Sequence, residues 1–152
     1  MAHPFETIHH VGVSVAVLDR SIAFWQRMLD TPARDRRVLE GPQVGTLVGC
    51  PGARIDSCWF DLPGGVALEL LCYLDRDEAP YDPETAHPGN VHVCLAVADM
   101  AAAHAHAVAC GARPVSAAAV EVGRGPRAGT RIAYLRDPDG VTIEIFQPPP
   151  RS

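Results

Sequence analysis

The chain carries an internal repeat, and a repeat limits the possible folds more than any single motif does. His10-Val11-Gly12-Val13-Ser14-Val15 matches His92-Val93-Cys94-Leu95-Ala96-Val97, and Gly65-Val66-Ala67-Leu68-Glu69-Leu70-Leu71 matches Gly140-Val141-Thr142-Ile143-Glu144-Ile145-Phe146. The offset is 82 residues for the first pair (10 to 92) and 75 for the second (65 to 140). Each half therefore opens on a strand bearing a histidine and closes on a strand bearing a glutamate. The polar, proline-rich stretch from Asp75 to Asn90 separates the halves. At 152 residues the sequence has room for one domain made of two such halves. The expected modules are residues 6–74 and 91–148, with 75–90 as linker.

Composition removes several chemistries. All thirteen basic residues are arginine, so a Schiff-base lysine, a pyridoxal-phosphate lysine and a phosphate-loop lysine are excluded. Eighteen acidic residues bring the formal charge to −5, which argues against nucleic acid or an anionic membrane as partner. The five cysteines, Cys50, Cys58, Cys72, Cys94 and Cys110, form no CxxC. They read as free thiols in a reducing cytoplasm rather than as a disulfide frame or a thiolate zinc site. The opening MAHPFETIHH has no basic region ahead of an apolar stretch, so no signal peptide is expected. No apolar run approaches the roughly 18 residues of a membrane span.

Periodicity supplies the elements. Strands are expected over Ile8–Val15, Arg36–Leu39, Arg54–Leu62 and Val66–Tyr73, with a helix from a cap near Asp19 to about Leu29. The second half repeats the order: a strand over Val91–Val97, a helix over Met100–Cys110, then strands near Pro114–Val122, Thr130–Arg136 and Val141–Phe146. Pro63-Gly64-Gly65 and Asp137-Pro138-Asp139-Gly140 turn the last two strands of each half into hairpins.

Alternation along a strand sorts the side chains onto two faces. Val11, Val13 and Val15 oppose His10, Gly12 and Ser14. Val66, Leu68 and Leu70 oppose Ala67, Glu69, Leu71 and Tyr73. In the second half Val93, Leu95 and Val97 oppose His92, Cys94 and Ala96, and Val141, Ile143 and Ile145 oppose Thr142, Glu144 and Phe146. One face is bulky and aliphatic and suits packing under a helix. The other carries one His or Glu among mostly small groups, which leaves room for a ligand. A buried carboxylate is costly unless paired or metal-bound. A divalent metal explains all four symmetric residues, because two neutral imidazoles and two carboxylates neutralise a 2+ ion. Nitrogen and oxygen donors without thiolate suit Ni, Co, Mn, Zn or Fe.

Three stretches resemble one superfamily. They are Ile8 to Val15 with the following Leu18-Asp19-Arg20-Ser21-Ile22-Ala23-Phe24-Trp25, then Gly89 to Asp99, and Tyr134 to Glu144. The pattern is similar to that of vicinal oxygen chelate proteins, which include glyoxalases, epimerases, extradiol dioxygenases and bleomycin-resistance proteins. The resemblance implies an α+β fold of two βαβββ modules, forming an open, cup-shaped mixed sheet with helices outside. It implies one divalent metal ion held by His10, Glu69, His92 and Glu144, a small-molecule substrate with vicinal oxygens, and a homodimer. The segment after Glu69, Leu70-Leu71-Cys72-Tyr73, lacks the Thr-x-Asn of many glutathione-using glyoxalases, which argues against a lactoylglutathione substrate.

The first functional expectation is an isomerase, epimerase or lyase that abstracts a proton next to a carbonyl through a metal-stabilised enediolate, with Glu144 as base and Glu69 as partner or return acid. The alternatives are an Fe(II) extradiol ring-cleaving dioxygenase and a non-catalytic antibiotic-type binding protein. Tyr73, Phe146 and Cys94 share the ligand face and are expected to line the pocket, Cys94 as a small buried thiol. Arg124 and Arg127, in the loop from Val122 to Gly129, are placed to grip an anionic substrate. His9 is expected on the face opposite His10. His104 and His106 are expected to be solvent-exposed, His87 to be solvated in the linker, and Trp25 and Trp59 to sit in the core or a subunit interface.

Overall fold

The computed structural model describes residues 4–76 and 82–150. The two chain ends and residues 77–81 of the expected linker lie outside the described residues. The chain divides into two compact units after residue 78.

In the first unit, β1 (His10–Ser14) is followed by α1 (Leu18–Leu29), β2 (Arg34–Leu39), α2 (Pro42–Leu47), β3 (Ile55–Asp61) and β4 (Ala67–Tyr73). The strands form an open mixed sheet in the order β1-β4-β3-β2. β1 runs parallel to β4, and the remaining pairs are antiparallel. Helix α1 forms because Leu18, Ser21, Phe24 and Trp25 recur on one face and are buried there. It begins at Leu18 after an uncapped Val17, with Asp19 inside its first turn, and ends at Asp30 in the left-handed region (φ 49°). The aliphatic face of the sheet is the covered one: Cys58, Phe60, Leu68 and Leu70 are fully buried.

Two features of this unit are absent from the sequence reading. Helix α2 is short, and Gly45 packs so tightly on the following turn that a Cβ would stand 2.9 Å from the Cys50 carbonyl oxygen. β2 starts at Arg34 rather than Arg36 and contains a bulge: Arg34 pairs with Trp59 and Arg37 with Ser57, so two residues oppose Cys58 alone. Asp35, within the bulge, has a φ of +53°, which is uncommon for a residue with a side chain.

The second unit comprises β5 (His92–Ala96), α3 (Met100–Ala109), the short β6 (Arg113–Pro114) and β7 (Val120–Glu121), then β8 (Arg131–Arg136) and β9 (Thr142–Gln147). The sheet order is β5-β9-β8-β6, with β7 also pairing to β8. β5 is parallel to β9, as β1 is to β4. Asp99 caps α3 by accepting from the Ala102 N–H, and Gly111 follows it at φ 104°. The strand expected over Pro114–Val122 is thus two short bridges. Leu135, Ile143 and Ile145 are buried on the aliphatic face.

The β8–β9 hairpin is organised by a buried carboxylate. Asp137 is inaccessible to solvent. Its Oδ1 accepts from the N–H groups of Asp139 (2.9 Å) and Val141 (2.8 Å), while its Oδ2 has no hydrogen-bond partner among the described residues. Burial pushes its pKa up to about 6, against the opposing pull of those backbone donors.

Candidate functional site

Parallel pairing of the first and last strands brings a histidine and a glutamate together in each unit. In the first, Gly12 is the register partner of Glu69, and His10 Nε2 lies 3.6 Å from Glu69 Oε2. In the second, Cys94 is the register partner of Glu144, and His92 Nε2 lies 2.7 Å from Glu144 Oε2. The accessibilities also match: 41% and 40% for the two histidine side chains, and 12% for each glutamate. Both carboxylates are therefore largely withdrawn from water with an imidazole as nearest charged-group partner, and each pair keeps an open side.

An aromatic ring completes each pair. Trp59 on β3 is the register partner of Glu69, and its ring centroid is 5.1 Å from that of His10. Tyr134 on β8 is the register partner of Glu144, and its ring is 5.5 Å from His92. Neither aromatic figured in the sequence-derived site, and Trp59 does not lie in the core. The signal was available: 59 to 134 is the same 75-residue offset as 69 to 144.

Other expectations are corrected. His9 precedes β1 and does not point away from His10: their Nδ1 atoms are 2.9 Å apart, and the His9 ring lies 6.1 Å from Trp59. Strand alternation does not apply to a residue outside the strand. Cys94 is exposed rather than a buried thiol. Its thiol pKa is raised by local desolvation, then by the Glu144 charge and a hydrogen bond donated to that carboxylate. Tyr134 is raised as well, by desolvation first and then by Glu144 and Cys94. His104 is half-buried, with Nε2 enclosed and without a hydrogen-bond partner among the described residues. His106 is exposed, with Nε2 3.6 Å from Cys110 Sγ, and His87 pairs with Asp82 at 3.1 Å.

Phe146 stays on the Glu144 face of β9, half-buried and opposite Ile132. Tyr73 lines a cavity of about 140 Å³ with Pro51, Arg54 and Asp75. A larger cavity of about 660 Å³ opens beside α2, between Glu40, Pro42, Thr46, Pro51 and Arg54. None of the four candidate ligands lines either cavity. Arg124 and Arg127 are exposed in the turn after β7. No disulfide links any of the five cysteines.

The donor chemistry fits a divalent ion. Each pair offers one imidazole nitrogen and one carboxylate oxygen, and two pairs balance a 2+ charge. Gly12 keeps space beside the first pair, since a Cβ there would stand 3.4 Å from Leu71 Cδ1 and 4.0 Å from Glu69 Oε2. Among the described residues no group of three or more His, Cys, Asp or Glu side chains is assembled around one point. Within each unit the structure brings together one His–Glu pair. No helix among the described residues is long and apolar enough to cross a membrane.

Comparison with known proteins places this architecture. A glyoxalase family protein from Bacillus cereus matches with a TM-score of 0.77 and 21% identity, over 99% of this chain and 100% of that one. A glyoxylase/bleomycin resistance protein/dioxygenase domain from Frankia sp. matches with a TM-score of 0.68 and 19% identity, over 96% and 93%. A glyoxalase I variant from Zea mays matches at 0.63 and 21%, over 94% of this chain and 45% of that one. None of the curated proteins matches. The sequence profile of the glyoxalase/bleomycin resistance protein/dioxygenase superfamily covers residues 9–134, and the chain belongs to that superfamily.

Proposed function

We propose that this protein is a metal-dependent isomerase, epimerase or lyase that removes a proton next to a carbonyl of a small chelating substrate. The observation that carries the reading is the recurrence of one His–Glu pair, at matched accessibility, in both units. His10, Glu69, His92 and Glu144 are the ligands of one divalent ion, whether the two pairs come from one chain or from two copies. The presence of a glyoxalase I among proteins of like fold is in keeping with proton-transfer chemistry. A bound divalent ion supplies Lewis acidity to the substrate's carbonyl oxygen.

The chain's own groups do the rest. The imidazoles of His10 and His92 bind as neutral donors. The Glu144 carboxylate takes the proton from the carbon next to the carbonyl, and the C–H electron pair moves towards the carbonyl oxygen. Glu69 takes up a proton from solvent and delivers it to the same or the neighbouring carbon, while Glu144 gives the proton it removed to solvent, so both carboxylates end the cycle ionised. Trp59 and Tyr134, each packed on its histidine, hold the imidazole planes and limit water beside the carboxylates.

Two measurements test this. Elemental analysis of protein purified without chelator or affinity nickel is expected to show about one Ni, Co, Mn or Zn per site, lost in His10→Ala. Solvent deuterium is expected to enter a 2-hydroxy ketone with the wild-type protein, and the rate to fall at least ~100-fold in Glu144→Gln with metal retained. Iron at that level, with oxygen uptake on catechols, would turn the assignment to a ring-cleaving dioxygenase. No metal, and no uptake on titration, would overturn it.

A further inference from the structure

Three arginines of the first unit each hold two carboxylates. Arg34 holds Asp61 and Asp35, Arg36 holds Asp56 and Asp19, and Arg54 holds Glu40 and Asp75. Arg37 is the exception on β2. Its carbonyl oxygen is 3.5 Å from the Ser57 hydroxyl, but its guanidinium has no hydrogen-bond or ion-pair partner among the described residues.

The bulge decides where that free charge goes. In a regular strand, residues 34 and 37 point to opposite faces. Here two residues oppose Cys58, so Arg34 and Arg37 fall in register with Trp59 and Ser57 on one face. Arg36 goes to the other, where it meets Asp19 of α1. The face that receives Arg37 also carries Glu69, the partner of Trp59, and Leu71, the partner of Ser57. It is the His10–Glu69 face. The Arg34 guanidinium lies 5.9 Å above the Trp59 ring, and that ring packs on His10. The chain adopts a left-handed backbone at Asp35 to make this bulge, and such strain often accompanies a functional need.

We propose that Arg37 binds a carboxylate of the substrate, so that the substrate class is a small acid that chelates through two neighbouring oxygens at its other end. A lone guanidinium carries one charge and presents two parallel N–H donors, which suit a carboxylate better than a phosphate dianion. Strand spacing and rise put the Glu69 and Arg37 backbones roughly 12 Å apart, a gap that an arginine side chain and a small acid span together. The inference rests on the metal-chelate reading above.

The test uses the full chain loaded with cobalt(II), and catechol and 3,4-dihydroxybenzoate as probes. Both chelate through vicinal oxygens, but only the second carries a carboxylate across the ring. Calorimetry gives the ratio of their dissociation constants for wild type, Arg37→Gln and Arg37→Lys. The preference for 3,4-dihydroxybenzoate is expected to fall about tenfold in Arg37→Gln, with catechol affinity unchanged, and to be partly kept in Arg37→Lys. An equal ratio in wild type and Arg37→Gln would overturn the carboxylate anchor and leave the metal reading standing. Binding of neither probe to any of the proteins would overturn the chelate reading and the anchor with it. Arg37 is exposed, and its guanidinium makes no hydrogen bond or ion pair among the described residues, so its replacement is expected to leave folding intact, checked by circular dichroism.

Discussion

The two units keep a His, a Glu and an aromatic ring together and differ at several positions beside them. Beside Glu69 stands Gly12; beside Glu144 stands Cys94, whose thiol reaches the carboxylate. Before His10 stands His9, in contact with it; the corresponding position before His92 is Val91. The His–Glu distance is 3.6 Å in one unit and 2.7 Å in the other. The hairpin turn is Leu62-Pro63-Gly64-Gly65 in the first unit and Asp137-Pro138-Asp139-Gly140 in the second. A duplicated scaffold thus keeps one His–Glu pair with its aromatic ring in each unit, while neighbouring positions diverge.

The largest effect that can break this comparison lies in the cores. Leu68 and Ile143 occupy corresponding positions, and both are fully buried. Leu68→Ala and Ile143→Ala are each expected to cost about 3 kcal/mol in denaturant unfolding, from lost burial plus the cavity left behind. A large cost in one unit and almost none in the other would show that the halves are not packed alike.

The hairpins differ in a way that pH exposes. The folded pKa of Asp137, about 6, lies above the 3.8 of an ordinary aspartate. The native state therefore binds this proton more tightly than the unfolded chain does. Its contribution to stability is greatest below about pH 4 and declines as pH rises towards 6. Asp137→Asn keeps an acceptor at Oδ1 and removes the charge. It is expected to raise stability by about 1–3 kcal/mol at pH 8 and by almost nothing at pH 3.5. Parallel melting curves of the two proteins across pH measure this. A difference independent of pH would mean that the carboxyl is not held in its neutral form. The first unit has Leu62 at this place and contributes no such dependence.

The smallest effect concerns the residues beside the glutamates. Cys94→Gly gives the second pair the neighbour found in the first, and Gly12→Ala adds a Cβ against Leu71 and Glu69. Each is expected to change cobalt affinity by a factor of about two to ten, within the range of outer-shell substitutions. Competition with a fluorescent chelator reads this out. A loss beyond ~100-fold for Cys94→Gly would make the thiol a ligand instead of a neighbour.

His10, Glu69, His92 and Glu144 were legible because like residues recur at fixed offsets on strands whose alternation places them on one face. Trp59 and Tyr134 recur at the same offset but differ in residue type, so a match by identity passes over them. The bulge in β2 was invisible because register belongs to two strands, and neither strand's own sequence states it. Helix α2 escaped because its six residues are too few for a helical period, and glycine and proline within it read as loop. His9 was assigned by alternation although the strand begins one residue later.

The β2 bulge bears finally on how copies of this chain behave when crowded. β2 is an edge of its sheet, and a straight edge strand offers its unpaired N–H and C=O groups to any other strand that passes. The doubled residues opposite Cys58 twist this edge, and Arg34, Asp35, Arg36 and Arg37 line it with charge. The irregularity that sets Arg37 on the His10–Glu69 face also makes the edge a poor template for growth, so one bulge serves both the proposed anchor and the solubility of the chain.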